Sequence, residues 1–151
     1  MLATVVALCA TWPANSAEKK NHAASDKERL IGAWHLARIE APGPGGNGTP
    51  ALQPKGMLIY TRDGHMSVQL MYPKSTTSLL NEYVQNGYEA SFGSYDLNEA
   101  THIVTHVQGS ITRDLLVGKD VPRVYQFTED GHLIIKSARP DEHWSVTWEH
   151  D

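Results

Sequence analysis

From residue 30 onward, the chain alternates short runs of apolar and β-branched residues with clusters of Gly, Pro, Asn and Asp. Eight runs of strand length follow one another in this way, which is typical of an all-β domain. We expect strands over Leu30–Glu40, Met57–Thr61, Met66–Tyr72, Tyr88–Leu97, His102–Val107, Val124–Thr128, Leu133–Ser137 and Trp144–Glu149.

Two of the predicted turns have almost the same sequence. Thr61–His65 reads TRDGH and Thr128–His132 reads TEDGH, and each joins two predicted strands. Asp-Gly between strands favours a type I′ turn, in which both central residues need a positive φ. We interpret the repeat as one turn chemistry that is used twice, and not as a duplicated domain.

One segment between the strands predicts a helix. Four apolar residues have a helical spacing within Ser75–Asn86, and Gly87 follows as a residue suited to end a helix. Residues 41–54 are rich in Gly and Pro and predict a loop. Residues 109–120 predict a connector with one helical turn.

Residues 1–17 predict a secretory signal peptide. They contain no Lys, Arg, Asp or Glu, and an apolar run from Leu2 to Ala10 is followed by Pro13 and small residues. The alternative interpretation is an apolar helix packed on the domain. A signal predicts a periplasmic or secreted protein, and its removal would also remove Cys9, the single cysteine of the chain.

A charged leader over residues 18–28 connects this segment to the first strand. Ser25 and Glu28 have the spacing of a capping box, which predicts a short helix from Asp26 to about Leu30. The remaining domain, residues 29–150, has a length that suits a single domain.

Sequential strands joined by tight turns predict an antiparallel up-and-down meander. Eight such strands usually close into a barrel, because closure removes the exposed sheet edges. The interior of an eight-stranded barrel is just wide enough to be filled by side chains or to hold one small ligand. The helix inserted between the strands would then be a lid or plug at one barrel end.

Several segments resemble the bacterial and fungal lipocalin-like domain proteins, a family of calycin-type barrels. Gly32-Ala33-Trp34 is similar to the Gly-x-Trp signature of lipocalins, and Leu58–Leu70 is similar to the family's central hairpin, the most specific piece. Phe92–Tyr95, Val104–Ser110 and Arg123–Tyr125 resemble later strands. The resemblance covers about residues 28 to 149 and implies an up-and-down barrel with a small internal cavity. It carries over no catalytic set, because related small barrels include both passive carriers and cyclases or isomerases.

Composition and charge narrow the classes of partner. Apolar residues make up 40% of the chain and charged residues 20%, and the formal net charge is −4. The apolar share excludes a disordered chain, and the lack of net positive charge argues against a nucleic-acid-binding face. No apolar run is long enough to span a membrane. Exposed edge strands would allow a homodimer.

The eight histidines do not predict a metal site. His102 and His106 lie four residues apart in a β-branched run, and on a strand that spacing spans roughly 13 Å, too far for one zinc ion. His65 and His132 follow tight turns and are expected near solvent. The chain also lacks a nucleophile elbow and a phosphate-binding loop, so no cofactor is expected.

His106 is the first candidate for a functional group, because it lies in the middle of a strand among apolar neighbours. A buried neutral imidazole can act as a general base or as a hydrogen-bond donor to a ligand. The alternative is a structural histidine. Tyr60 is the second tentative catalytic residue, through its hydroxyl.

The other candidates are polar or aromatic residues on predicted strands. If Trp34 faces inward, Arg38 faces inward too, unless a bulge reverses the alternation. Arg38 and Arg123 could pair with a ligand carboxylate; alternatively, as the lipocalin resemblance implies, Arg123 stacks on Trp34 and seals the barrel base. The full set of ligand-binding candidates is Trp34, Arg38, Tyr60, Gln69, Tyr95, His106, Arg123, Tyr125 and Trp144.

Two functions stay open at this point. One is an exported barrel that binds a small apolar molecule in its cavity, and the other is a cofactor-free isomerase, cyclase or lyase that uses the same cavity. Converging polar groups with a histidine of perturbed pKa would favour the enzyme. A uniformly apolar cavity would favour the carrier, and a filled interior would favour neither.

Overall fold

A computed structural model describes residues 24–40, 54–73, 83–111 and 116–150. Within them, eight strands form a closed antiparallel barrel in which each strand pairs with its neighbours in sequence and the last pairs with the first. The predicted up-and-down barrel is confirmed. The elements are α1 Asp26–Leu30, β1 Gly32–Glu40, β2 Lys55–Tyr60, β3 His65–Met71, β4 Tyr88–Asn98, β5 Ile103–Ile111, β6 Asp120–Phe127, β7 Leu133–Ser137 and β8 Ser145–His150.

Several predicted features lie outside the described residues. These are the signal segment 1–17, most of the Gly/Pro-rich loop and the first part of the predicted helix. Among the described residues, no helix is long and apolar enough to cross a membrane. Since β1 pairs with both β2 and β8, barrel closure removes the exposed strand edges on which the homodimer expectation rested.

The short helix α1 forms as its capping sequence predicts. The Ser25 hydroxyl accepts a hydrogen bond from the Glu28 amide, and the Glu28 carboxylate accepts one from the Ser25 amide. The helix ends in Leu30, whose side chain is fully buried in the barrel and whose carbonyl accepts a 2.9 Å hydrogen bond from Trp34 Nε1. The helix therefore closes one end of the barrel.

An arginine of α1 covers the aromatic residues at this closed end. The Arg29 guanidinium lies 4.0 Å from the centroid of the Phe127 ring, and that ring packs against Trp34. The Tyr125 hydroxyl donates a 3.0 Å hydrogen bond to Asp26. The expectation that Arg123 stacks on Trp34 is wrong, because α1 supplies the closing cation from its own last turn.

The two Asp-Gly hairpins share one geometry, as predicted, but their turn type differs from the prediction. In each, the Gly amide donates to the threonine carbonyl three residues earlier, at 3.2 Å for both Gly64 and Gly131. Both glycines have a φ of +89°, whereas the preceding aspartates do not have positive φ. The turns are type I turns followed by a left-handed glycine, the usual three-residue hairpin loop.

A type I′ turn occurs instead at Asn86-Gly87. These two residues have φ values of 55° and 80°, and the flanking Gln85 and Tyr88 exchange both backbone hydrogen bonds. The prediction of a helix that extends to Asn86 is therefore wrong for residues 83–86, because Asn-Gly favours a two-residue hairpin over continued helix. Residues 75–82 lie outside the described part of the chain.

A bulge in β1 determines which of its side chains face the interior. Leu36 pairs with Trp148 but Arg38 pairs with Thr147, so one extra residue is accommodated between them. The inward alternation passes from Leu36 to Ile39, and the side chain of Arg38 is 62% exposed beside Glu40. The expectation that Arg38 shares the face of Trp34 is wrong, because the bulge shifts the alternation by one residue.

Candidate functional site

A cavity of about 170 Å³ is lined by inward-facing side chains of the barrel. Its apolar wall includes side chains from β1, β2, β3, β7 and β8, and four further residues contribute polar groups. The apolar and aromatic lining is Ile39, Leu58, Val68, Leu70, Tyr72, Tyr83, Val84, Ile135, Trp144, Val146 and Trp148; the polar lining is Glu89, Ser91, His106 and Arg123. The cavity therefore combines apolar walls with a few placed polar groups, as ligand sites do.

His106 and Tyr60 form a buried hydrogen-bonded pair at the cavity. Alternation on β5 and β2 turns both side chains inward, and Tyr60 Oη lies 2.6 Å from His106 Nε2. Burial lowers the pKa of His106 to about 3, and the positive charge of Arg123 acts in the same direction. Burial raises the pKa of the Tyr60 hydroxyl far above its usual value. Both groups are therefore neutral at ordinary pH and share one hydrogen bond.

Tyr95 packs against the Tyr60 ring of this pair. Its ring packs edge-on against Tyr60 with 4.9 Å between the centroids, and its hydroxyl donates a 2.9 Å hydrogen bond to the Thr61 carbonyl. Tyr95 is buried but does not line the cavity. Its contacts hold the Tyr60 ring in position against His106.

Arg123 is a buried cation whose side chain lies between two aromatic rings. Its guanidinium carbon is 5.1 Å from the ring centroid of Tyr83 and 4.9 Å from that of Trp144. Such cation–π contacts stabilise a desolvated guanidinium. One of its N–H groups donates a 3.3 Å hydrogen bond to the Pro122 carbonyl, and no carboxylate among the described residues lies within ion-pair distance of it.

Glu89 places a carboxyl group in the same cavity. It lies on β4 opposite Leu70, in the inward alternation that includes Ser91. Burial raises the pKa of Glu89 to about 7, and the positive charge of Arg123 opposes that rise. The carboxyl group is therefore close to half-protonated at neutral pH.

Trp148 brings an unused donor to the cavity wall. Its side chain is buried at 3% exposure, and its Nε1–H has no hydrogen-bond partner among the described residues. Buried polar groups in native proteins nearly always have a partner. The Nε1 atom itself has almost no accessible surface, so a ligand acceptor reaches this donor only when neighbouring side chains move.

The structure brings some of the predicted site residues together and separates others. His106, Arg123 and Trp144 line the cavity, and Tyr60 and Tyr95 lie directly behind His106. Trp34 and Tyr125 belong to the closed end beneath α1. Gln69 is exposed because it lies on the outer face of β3, opposite Val68 and Leu70, and Arg38 is exposed through the bulge.

Sequence reasoning missed Glu89, Ser91 and Tyr72 as cavity residues. On β4, alternation from the predicted strand residue Tyr95 leads back through Gly93 to Ser91 and Glu89. That alternation was a usable signal. A charged residue near the start of a strand is ordinarily solvent-exposed, however, so the pattern alone gives no reason to place a carboxyl group inside.

The described histidines do not assemble around a metal. His102 has a φ of 53° in the turn before β5 and an exposed side chain, whereas His106 is buried. Within residues 24–40, 54–73, 83–111 and 116–150, no group of three or more His, Cys, Asp or Glu side chains is placed to hold a metal ion.

Comparison with known proteins identifies one matching family. A family model described as a lipocalin-like domain matches residues 31–150, from the end of α1 to the end of β8. No curated protein matches the chain significantly.

Proposed function

The chain belongs to the lipocalin-like domain family, and on that premise we propose that it binds a small, largely apolar molecule in the barrel cavity. The observation that carries the proposal is the cavity of about 170 Å³, whose apolar walls surround a few buried polar side chains. Apolar walls favour transfer of the ligand from water, and the polar groups orient it.

The cavity volume sets the size of the ligand. An engineered protein cavity of about 150 Å³ lined by apolar side chains binds benzene. A cavity of 170 Å³ therefore suits a molecule with one ring or a short chain and one polar group.

A cavity-filling variant tests the proposal. Val68 lines the cavity and Val124 lies on the outer face of β6, so Val68→Phe removes interior volume while Val124→Phe does not. Native mass spectrometry should detect a small molecule bound to the wild-type protein and to Val124→Phe, and lose it in Val68→Phe. Equal retention by both variants would show that the molecule binds elsewhere.

We also propose that residues 1–17 direct export to the periplasm or the medium. The support is the uncharged apolar segment followed by Pro13 and small residues. N-terminal sequencing of the protein from its native host should find a mature chain that starts near residue 18. A chain that retains Met1 would overturn this part of the proposal.

A second candidate function is a cofactor-free isomerase, cyclase or lyase, and Glu89 is the observation that favours it. A general base works best when its pKa lies near the working pH, and the pKa of Glu89 is about 7 whereas that of His106 is about 3. The base of such an enzyme would be Glu89, with the Tyr60–His106 pair as a neutral hydrogen-bonding group.

Deuterium exchange separates the two candidates. The molecule identified by mass spectrometry is incubated with the protein in D₂O, with Glu89→Gln as the comparison. Deuterium at carbon, or a new isomer, formed by the wild type and lost in Glu89→Gln would establish catalysis. An unchanged molecule would establish binding alone.

A further inference from the structure

The cavity contains a permanent cation, Arg123, most of whose hydrogen-bond donors have no acceptor among the described residues. Resting on the proposed binding function, we propose that the ligand is a small carboxylic acid, with its carboxylate on Arg123 and its apolar body against the cavity wall. The Arg123 guanidinium at the cavity and the charge balance with Glu89 carry the proposal, and the unpaired Trp148 Nε1–H is a second buried donor next to the site.

Arg123 is oriented to bind a planar anion. Tyr83 and Trp144 pack against the guanidinium, so its in-plane N–H groups are left for hydrogen bonding. A guanidinium has five N–H donors, and the hydrogen bond to Pro122 uses one of them. A carboxylate matches a pair of the remaining N–H groups, because two parallel N–H···O bonds form with little distortion.

Trp148, which lines the same cavity, has a second buried donor whose Nε1 atom has almost no accessible surface. Leaving a buried N–H without an acceptor costs free energy, and Trp148 Nε1–H has none among the described residues. A ligand oxygen that reaches this group would satisfy it. Both unused groups are donors, so the complementary ligand group is an acceptor.

A bound carboxylate would add a second negative charge to the cavity beside Glu89, and protonation of Glu89 can balance it. The titratable groups that share the cavity with Glu89 are Arg123 from β6, His106 from β5, Tyr72 after β3 and Tyr83 before β4. Of these, Arg123 is the permanent charge. A bound carboxylate together with ionised Glu89 would leave the buried site with a net negative charge. Protonation of Glu89 restores neutrality, so binding of the acid takes up a proton.

Matched acids and amides test the charge requirement. Benzoate and hexanoate are titrated into the full chain by calorimetry, each beside its neutral amide, benzamide and hexanamide. We expect at least one acid to bind about tenfold or more tightly than its amide, since hydrogen bonds to charged groups are the stronger ones. Equal affinities would overturn the carboxylic acid and leave the proposed binding function standing. Absence of binding by all four would overturn both.

Two variants assign the preference to the proposed donors. Arg123→Met should abolish the preference for the acid, and the exposed Arg38→Met should keep it. Trp148→Phe removes the N–H together with part of the indole ring, so the acid should lose more affinity than its neutral amide does. If Arg123→Met does not fold, the neutral variant Arg123→Gln decides: an unchanged preference for the acid in Arg123→Gln would overturn the proposal.

The proton uptake has its own measurement. At pH 7 the heat of benzoate or hexanoate binding should differ between phosphate and Tris buffers, because the buffer supplies the proton. Glu89→Gln should remove that difference and make acid affinity nearly independent of pH between 6 and 8. A buffer-dependent heat that persists in Glu89→Gln would overturn the role of Glu89.

Discussion

At the scale of single residues, Tyr60 and His106 stabilise each other inside the barrel. Their 2.6 Å hydrogen bond is buried. Tyr60→Phe leaves the imidazole without this partner, and we expect a loss of about 1 to 3 kcal/mol in the free energy of unfolding. Chemical denaturation measures the loss. Tyr88→Phe, whose hydroxyl is on an exposed side chain, is the control and should change stability by less than about 0.5 kcal/mol. Equal effects would contradict the importance of the buried bond.

Glu89 and His106 make opposite contributions to the pH dependence of stability. The pKa of Glu89 rises from 4.5 to about 7 on folding, so stability is lost as pH rises from about 4.5 to about 7. The pKa of His106 falls from 6.5 to about 3, so stability is lost as pH falls from about 6.5 to about 3. The two contributions partly cancel between pH 4.5 and 6.5.

Glu89→Gln separates these contributions. The variant should be more stable than the wild type at pH 8, by up to about 3 kcal/mol, and nearly equal to it at pH 4. Denaturation across this range measures both values. A stability difference that is the same at pH 4 and pH 8 would show that the carboxyl group is not held in a desolvating environment.

Individual residues were predictable where alternation and chemistry agreed. His106 lies mid-strand among apolar residues, and its burial follows from that position. Glu89 has the same alternation, but the cost of burying a carboxyl group argues against an inward position. Arg123 was expected either at a ligand carboxylate or against Trp34 at the barrel base. It lies at the cavity, because stacking partners distant in sequence, Tyr83 and Trp144, determine its direction.

At the scale of elements, Gly93 determines how closely β4 and β5 approach. The pairing shifts register between Phe92 and Gly93, and a Cβ added at Gly93 would overlap the Val107 carbonyl oxygen. Gly93→Ala must therefore push β5 away, and we expect a loss of about 1 to 3 kcal/mol. Thermal unfolding measures it. The exposed neighbour Ser94→Ala is the control, and a Gly93→Ala variant as stable as this control would contradict the close approach.

The positions of the strands and of the short helix could be predicted from the sequence. The bulge in β1 and the types of the turns could not. The capping box at Ser25 and Glu28 is a local signal, and the helix forms where it predicts. The bulge at Leu36/Arg38 depends on pairing with β8, which lies more than a hundred residues away in the chain, so a local pattern does not contain it. Asn86-Gly87 was a strong hairpin signal that the helical spacing before it obscured.

At the scale of the whole molecule, barrel closure and a small cavity were expected from the sequence, but the size and lining of the cavity were not predictable. Eight sequential strands joined by tight turns favour a closed meander, and the strands pair in that order. The cavity is the small difference between the enclosed volume and the side chains that fill it. That difference depends on strand registers and on which side chains turn inward, and both are fixed by contacts between distant strands.

The most direct test of the central claim follows the tryptophan indole N–H signals by NMR during titration with benzoate and hexanoate. Trp144 and Trp148 line the cavity, and Trp34, which is hydrogen-bonded to Leu30 at the closed end, is an internal reference. We predict that the Trp148 signal moves downfield as its unpaired N–H gains an acceptor, that Trp144 shifts, and that Trp34 changes little. Shifts confined to Trp34 and surface residues, or no shift with either acid, would contradict a ligand site inside the barrel.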